Sequence, residues 1–150
     1  MTEVKTIAVN RRARFDYEVL ESVEAGLVLT GPEIKAIRAG RISLREAYGR
    51  PSGGELWLVG AHIAEYTAGA AADGDPTRPR KLLLHRDQIR SLSAQVETKG
   101  LTLVPLRLYI RGHIAKVELG LARGRRQYDK RQLIIERDRK REARQAIGRQ

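Results

Sequence analysis

The sequence predicts a mainly β protein: a small antiparallel barrel with two to three flanking helices and a basic C-terminal tail. Three observations lead to this fold class. Short segments of strand character are separated by turn signals about every 8 to 12 residues. Only two segments of the main body carry a helical pattern, and most of the excess positive charge lies after residue 122. We therefore expect a barrel domain over residues 1–122 and a tail over residues 123–150.

The first predicted elements are a strand and a helix. The segment from Tyr17 to Leu29 mixes Val and Leu with Glu, which predicts a strand with a turn at residues 25–26. A helix is predicted from Pro32 to Ala39. Thr30 can cap this helix because its hydroxyl can accept a hydrogen bond from the first turn, and Gly40 is expected to end it.

A hairpin is predicted after this helix. Two short strands, Ser43–Tyr48 and Glu55–Val59, flank a Pro-Ser-Gly-Gly sequence at residues 51–54 that favours a tight turn. The segment from Ala68 to Pro79 is rich in Ala, Gly, Asp and Pro, so we expect a mobile loop there. An apolar strand from Lys81 to His85 is predicted to follow this loop.

One helix and two long strands complete the predicted barrel. The helix runs from Arg86 to Lys99 and ends at Gly100, and its apolar positions are Ile89, Leu92 and Val96. Strands are predicted at Leu101–Ile110 and His113–Leu121. One face of the first strand is expected to carry Val104, Leu106, Leu108 and Ile110. One face of the second is expected to carry Ile114, Val117, Leu119 and Leu121, with a one-residue slip that indicates a β-bulge.

The tail differs from the barrel in its charge. The chain has 29 Lys and Arg against 18 Asp and Glu, a net charge of +11. The segment from Arg123 to Gln150 holds 11 of these cations and only 4 of the anions, so it carries +7. This charge indicates a polyanionic partner. Because the apolar stripe of the tail is thin, we expect the tail to be disordered when free and helical against that partner.

Residue types and motifs exclude several functions. The chain has no Cys, which rules out disulfides, zinc–thiolate sites and Cys nucleophiles. His62, His85 and His113 lack metal-ligand spacing, and no motif for a catalytic nucleophile or a phosphate loop is present. No signal peptide and no apolar run of about 18 residues occurs. We therefore expect a cytoplasmic protein with no catalytic activity, no cofactor, no metal and no membrane partner.

Arginine clusters favour RNA as the partner. Of the 29 cations, 22 are Arg, whose planar donor fork fits phosphates and stacks on bases. The clusters lie at residues 10–15, 78–81 and 123–131, and Phe15, Tyr17 and Tyr128 add surfaces on which bases could stack. Composition alone leaves three functions open: an RNA-binding adaptor, a structural ribosomal protein and an RNA-processing enzyme. A structural protein would sediment with all ribosomes, whereas an adaptor would be enriched on stalled ones.

A series of ordered motifs between Asn10 and Arg139 resembles one known family. The matching segments are Asn10-Arg11-Arg12-Ala13-Arg14, Glu24-Ala25-Gly26, Leu29-Thr30-Gly31-Pro32-Glu33-Ile34-Lys35, Ile37-Arg38-Ala39-Gly40, Asp75-Pro76-Thr77-Arg78-Pro79-Arg80-Lys81-Leu82-Leu83-Leu84, Leu103-Val104-Pro105-Leu106, Ala122-Arg123-Gly124 and Asp129-Lys130-Arg131. On these segments the chain closely resembles the small protein B family, the SsrA-binding proteins. These proteins are partners of transfer-messenger RNA in bacterial trans-translation.

The resemblance implies a fold, partners and a function. The fold would be an oligonucleotide-binding-type barrel (OB-fold) that holds the tRNA-like domain of transfer-messenger RNA (tmRNA, or SsrA) in place of its missing anticodon arm. The protein would deliver this RNA to stalled ribosomes for ribosome rescue and tagging of nascent peptides. Its second partner would be the ribosome, at the decoding centre and messenger channel of the small subunit. We expect it to act as a monomer.

The expected site residues fall into two groups. By matching position, the surface that faces the RNA would include Asn10, Glu24, Leu83 and Lys116, with Gly124 leading into the tail. The arginine clusters add Arg11, Arg12, Arg14, Arg123 and Arg125 to this RNA-binding group. The residues expected to face the decoding centre are Tyr128, Asp129, Lys130 and Arg131, followed by a helix in the messenger channel. From the hydrophobic pattern alone, Leu83 would lie in a core strand and Lys116 on the surface of a strand.

Overall fold

A computed structural model describes residues 3–64 and 75–148 of the chain. Its elements in chain order are β1 (Val4–Val9), α1 (Ala13–Asp16), β2 (Tyr17–Leu27), α2 (Gly31–Arg38), β3 (Ile42–Ser43), β4 (Tyr48–Ser52), β5 (Glu55–Val59), β6 (His62–Ile63), β7 (Arg80–Leu83), α3 (Arg86–Lys99), β8 (Thr102–Arg111), β9 (Ile114–Gly124) and α4 (Gln127–Gly148). The predicted mainly β class is confirmed.

Six strands close into a ring. They pair in the order β8–β4–β5–β7–β2–β9, and β9 returns to pair with β8, every pairing being antiparallel. β4 pairs with β8 through one residue pair, Gly49 and Leu103. A Cβ at Gly49 would lie 2.7 Å from the Cβ of Leu103, so only glycine permits this approach. β1 extends the sheet along the rest of β8, and β3 pairs with β6.

The interior of this ring is filled with aliphatic side chains. The fully buried leucines come from β5, β7, β8 and β9 and include Leu56, Leu58, Leu82, Leu103, Leu108 and Leu119. α2 contributes Ala36 and Ile37, and α3 contributes Ile89 and Leu92. A second, smaller cluster of Ala13, Val104, Leu106 and Ala122 forms where α1 packs against β8 and β9. The two clusters therefore hold α1, α2 and α3 against the sheet.

The predicted cap at Thr30 is confirmed, and α2 begins at Gly31, one residue before the predicted start at Pro32. The Thr30 hydroxyl accepts a hydrogen bond from the Glu33 N–H at 3.3 Å, and Oε1 of Glu33 accepts one from the Thr30 N–H at 2.9 Å. This reciprocal pair is a capping box. The turn predicted at residues 25–26 is wrong, because β2 continues through them to Leu27 while pairing with β7 and β9.

The predicted hairpin has the right turn and one misplaced strand. Gly53 and Gly54 form the turn with φ values of 59° and 76°, a backbone conformation that favours glycine. The strand before the turn is Tyr48–Ser52 rather than Ser43–Tyr48, because Ile42 and Ser43 pair with β6 instead.

The next elements lie close to their predicted positions. Of the predicted loop at residues 68–79, residues 68–74 lie outside the described residues. β7 ends at Leu83 rather than at His85, because His85 is the N-terminal capping residue of α3, which begins at Arg86. α3 has the predicted bounds and ends at Gly100 with a φ of 64°.

The predicted face of β8 is wrong for two residues. The register of β8 against β9 shifts at residues 105–107, so the bulge lies there. As a result, Val104 and Leu106 pack in the cluster under α1, whereas Leu103 and Leu108 pack in the barrel interior.

β9 itself alternates without a slip. Ala115 is buried, and Ile114, the predicted inward residue, is 58% exposed beside the turn. The strand pattern was expected to stop after Leu121. β9 instead continues to Gly124 because β2 pairs with it as far as Tyr17.

The tail from Gln127 to Gly148 forms one helix, α4, and most of its described side chains are exposed. The division of the chain after residue 122 and the disorder of the free tail stay predictions. Among the helices of the described segments, none is long and apolar enough to cross a membrane.

Candidate nucleic-acid interface

A row of three residues crosses the outer surface of β7, β2 and β9. Gly26 in β2 pairs with Leu83 on one side and with Lys116 on the other. Leu83 is 52% exposed, so the core position that its hydrophobic pattern suggested is wrong. A Cβ at Gly26 would lie 3.3 Å from the Leu83 Cβ and 3.8 Å from Nζ of Lys116. Because Gly26 has no side chain, Leu83 and Lys116 lie close over the strand, and Gly26 itself is buried.

Glu24 lies two residues from Gly26, on the same side of β2. Its Oε2 accepts a hydrogen bond from the Tyr109 hydroxyl and forms an ion pair with Nη2 of Arg111 at 3.2 Å. Within residues 3–64 and 75–148, no hydrogen bond to the Oε1 atom of Glu24 is found. This half-buried carboxylate can therefore still accept a hydrogen bond, for example from the amino group of a base.

Tyr109 organises the charges around Glu24. It pairs across the sheet with Lys116. Burial and the hydrogen bond to Glu24 raise the pKa of Tyr109 to about 12, so the phenol remains a donor at neutral pH. The Arg107 guanidinium lies 4.4 Å from the centre of the Tyr109 ring, and that of Arg111 lies 6.0 Å away. We name Glu24, Leu83, Tyr109, Arg111 and Lys116 the barrel face.

Asn10 has a different environment from the barrel face. Its Nδ2 donates hydrogen bonds to the carbonyl oxygens of Leu44 at 3.3 Å and Pro105 at 3.1 Å. Its backbone N–H donates to the carbonyl oxygen of Leu106 at 2.8 Å. The amide therefore joins the end of β1 to β8 and to the segment after β3, which makes Asn10 a residue that positions its neighbours.

The arginines after Asn10 surround α1. Arg11, Arg12 and Arg14 are exposed. The Arg12 guanidinium lies 5.6 Å from the centre of the Phe15 ring and 3.6 Å from the Asp16 carboxylate. Arg12 is thus partly held by α1, whereas Arg14 lies at a groove between α1 and α4.

Asp16 also links α1 to the start of the tail. Nζ of Lys130 lies 3.0 Å from its Oδ1 and 5.7 Å from the centre of the Phe15 ring. The hydrogen bond from Lys130 holds the pKa of the Asp16 carboxyl below its ordinary value, against the effect of partial burial. Lys130 thus ties the first turn of α4 to α1.

The residues at the end of β9 lie beside α1. Arg123 forms an ion pair with Glu18 at 3.2 Å, and Gly124 pairs with Tyr17. The Arg125 N–H donates to the backbone oxygen of Asp16 at 2.9 Å, and Nε of Arg125 is buried with no partner in the described parts of the chain. We name the exposed residues Arg11, Arg12, Arg14 and Arg123, together with Arg125, the arginine end.

The barrel face and the arginine end lie toward opposite ends of β2. Glu24 and Tyr17 belong to the same strand, and the seven residue steps from Tyr17 to Glu24 correspond to about 23 Å at the usual rise of a strand. The expected RNA-binding residues therefore form two separate surfaces. A partner that contacts both has to extend along the β2–β9 pair.

The arginine cluster at residues 78–81 is not a free basic surface. The Arg80 side chain is fully buried, with its Nε 2.8 Å from Oε2 of Glu33. Arg78 also pairs with Glu33, and Lys81 lies 3.6 Å from the Glu55 carboxylate. Arg80 and Arg78 neutralise Glu33, because a buried carboxylate requires a counter-charge, whereas Lys81 pairs with Glu55 near the surface. The prediction that this cluster contacts RNA is therefore wrong for Arg80.

The residues expected at the decoding centre lie in the first turn of α4. Oδ2 of Asp129 accepts a hydrogen bond from the Arg126 N–H at 3.3 Å, which caps the helix. Lys130 is paired with Asp16. Arg131 is exposed, and Tyr128 lies in the same turn. Their roles toward the ribosome stay predictions.

Sequence reasoning missed several residues of the interface. Arg107, Tyr109 and Arg111 occupy alternate positions of β8 opposite the predicted apolar residues, and this alternation could have placed them on the outer surface. Asp16 gave no such signal, because its partner Lys130 is distant in sequence.

The comparisons with known proteins all lead to one family. The sequence model of the family described as SmpB protein matches residues 7–149. An SsrA-binding protein of Thermobifida fusca (strain YX) is 55% identical over 145 residues, which cover 97% of this chain and 91% of the relative. An SsrA-binding protein of Roseiflexus castenholzii is 56% identical over 146 residues, covering 97% of this chain and 90% of the relative.

A solved structure shares the fold. The chain from "tmRNA-SmpB: a journey to the center of the bacterial ribosome" matches with a TM-score of 0.68 and 48% sequence identity. The match covers 85% of this chain and 93% of the solved one. Because the family match spans nearly the whole sequence, this chain belongs to the SmpB protein family.

Proposed function

We propose that this chain binds the tRNA-like domain of transfer-messenger RNA and delivers it to stalled ribosomes, for ribosome rescue and tagging of the nascent peptide. The relatives are named for binding SsrA, and the solved relative is described with tmRNA and the bacterial ribosome. One observation on this chain carries the proposal. Three positions assigned to the RNA by resemblance, Glu24, Leu83 and Lys116, converge on one exposed surface of the barrel.

The barrel face offers three kinds of contact to an RNA. Lys116 supplies a charge for a phosphate, and Leu83 supplies an apolar surface for a base or a ribose. Glu24 supplies an acceptor held in place by Tyr109 and Arg111. Such a combination favours a shaped RNA over an arbitrary polyanion, because two of the three contacts do not depend on attraction between charges.

The tail is the part of the chain that contacts the second partner, the ribosome, in this proposal. Residues 123–150 carry a net charge of +7. We assign Tyr128, Asp129, Lys130 and Arg131 to the decoding centre of the small subunit and the rest of α4 to the messenger channel. RNA lines this channel, so an exposed helix rich in Arg gains counterion release on entering it. The protein would act in the cytoplasm as a monomeric adaptor without catalytic activity.

Direct binding to the isolated tRNA-like domain tests the proposal. Affinity should fall steeply with salt, and an ordinary tRNA with an anticodon arm should bind less tightly, because the barrel occupies the place of that arm. Lys116→Ala should reduce the slope of log affinity against log salt by about 0.9, the value for one phosphate contact. Leu83→Ala should weaken binding without changing that slope, since it removes no charge.

Comparing the Lys116→Ala and Leu83→Ala variants on the two RNAs separates specific recognition from attraction between charges. Equal affinity for the tRNA-like domain and for ordinary tRNA at every salt concentration would contradict the proposal. So would a Leu83→Ala variant that binds as well as the parent protein.

A further inference from the structure

A groove with three arginines lies beside Asn10, away from the barrel face. Its walls are the end of β1 with Arg11 and Arg12 on one side, and Ser43, Leu44 and Arg45 on the other. No carboxylate is among the residues that line it. Arg11 and Arg45 are exposed, and no ion pair to either is found in the described segments. Two guanidinium groups at the groove, those of Arg11 and Arg45, thus have no ion-pair partner among the described residues, whereas the third, that of Arg12, lies 3.6 Å from the Asp16 carboxylate.

Asn10 holds the two walls together. Its Nδ2 donates to the carbonyl oxygen of Leu44, the residue before Arg45, and its own chain continues into Arg11. The same nitrogen also donates to Pro105 in β8, which fixes the pair to the barrel. The Arg45 N–H lies 3.4 Å from the Ser43 hydroxyl, so the backbone that carries Arg45 is held locally as well. The backbone at Arg45 therefore has a defined position although it lies outside every strand.

We propose that this groove binds a phosphate of the partner RNA backbone, with Arg45 as a phosphate ligand and Asn10 as the residue that positions it. Guanidinium groups bind phosphate oxygens through two parallel N–H donors, and convergent arginines from two segments can hold one phosphate between them. The inference rests on the proposed function for the identity of the RNA. The inference also changes the role of Asn10 from a direct RNA contact to a positioning residue, because two carbonyl groups already use its side-chain donors.

The role of Arg45 in binding phosphate can be tested by comparison with an exposed arginine outside the groove. Arg45→Ala is compared with Arg90→Ala, which removes an exposed arginine from α3. The probe is the isolated tRNA-like domain, titrated at several salt concentrations. Arg45→Ala should weaken binding roughly three- to tenfold and reduce the salt slope by about 0.9. Arg90→Ala should leave both unchanged, and Arg45→Lys should retain most of the slope because it keeps the charge.

A double-mutant cycle tests the positioning role. If Asn10 acts through Arg45, the losses in affinity from Asn10→Ala and Arg45→Ala should be clearly less than additive. Additive losses would overturn the positioning role and indicate a direct contact of Asn10 with the RNA. Thermal unfolding of each variant verifies that binding is measured on folded protein.

The possible failures are distinguishable. If the parent protein prefers the tRNA-like domain but Arg45→Ala behaves like Arg90→Ala, the groove is not a phosphate site and the proposed function stands. If the parent protein shows no preference for the tRNA-like domain, the proposed function fails. A lower salt slope for Arg45→Ala on other RNAs would then still support the groove as a general phosphate site, and an unchanged slope would overturn it as well.

Discussion

Replacing Glu33 with alanine is expected to lower the free energy of unfolding by about 3 to 5 kcal/mol. The Glu33 side chain is fully buried and paired with Arg80, which is also fully buried, and with Arg78. Removing the carboxylate leaves the Arg80 guanidinium without its counter-charge inside the protein. The substitution also removes one half of the Thr30 capping box. Since Arg80 begins β7, we expect RNA binding through Leu83 to weaken in the same variant.

Urea unfolding of matched variants measures this effect. Glu55→Ala is the control, because Glu55 pairs with Lys81 at 3.6 Å near the surface and its loss should cost less than about 1 kcal/mol. If Glu33→Ala and Glu55→Ala lost the same free energy of unfolding, the buried pair of Glu33 and Arg80 would have no special role in stability.

The pH dependence of stability gives a second measurement on Glu33. Burial raises the pKa of Glu33, but the hydrogen bonds from Thr30, Arg80 and Arg78 outweigh it and hold the pKa below the ordinary value of 4.5. A lowered carboxyl pKa in the folded state stabilises the protein above the pKa of the unfolded chain. This stability is lost as the pH falls below about 4.5 and through the folded pKa. Glu33→Gln, which cannot ionise, should show a weaker loss over this range than the parent protein.

Deleting residues 128–150 should abolish peptide tagging on stalled ribosomes and leave binding of the tRNA-like domain within about fivefold of the parent protein. No described residue of α4 belongs to either hydrophobic cluster, so the barrel should fold without the tail. The deletion removes the ion pair between Asp16 and Lys130 and the approach of Lys130 to Phe15. These residues are half-buried at the surface, where a single ion pair contributes about 1 kcal/mol or less to stability.

A reconstituted translation reaction on a truncated message measures this prediction. The control is a full-length variant in which residues 128–150 keep their composition in scrambled order. If charge alone guides the tail, the scrambled variant should tag peptides as well as the parent protein; our assignment of Tyr128 to Arg131 predicts that it fails. The division of roles would be wrong if truncation weakened RNA binding as much as changing residues 10–14.

Local signals in the sequence predicted several elements well. Thr30 and Glu33 stand at capping-box spacing, α3 has apolar residues at helical spacing, and Gly53 with Gly54 favours one type of turn. Each of these signals acts within a few residues, so it does not depend on how the chain folds elsewhere. The bulge in β8 could not be predicted in this way, because it depends on the register against β9.

The candidate site was predictable only in part. Leu83 has the residue type and spacing of a core leucine, and its exposure follows from the position of β7 in the ring. Arg80 and Glu33 are 47 residues apart in sequence, so the composition of the cluster at residues 78–81 could not reveal that Arg80 is buried. Resemblance supplied Glu24, Leu83 and Lys116, and the structure added Tyr109 and Arg111 around them.

The natural RNA partner of this chain can be identified by isolating the full-length protein from its own cells under mild salt and sequencing the RNA that remains bound. We expect transfer-messenger RNA to be enriched far above its share of total RNA, with ribosomal RNA present in smaller molar amounts than the protein. Ribosomal RNA in stoichiometric amount, without transfer-messenger RNA, would refute the adaptor function and favour a structural ribosomal protein.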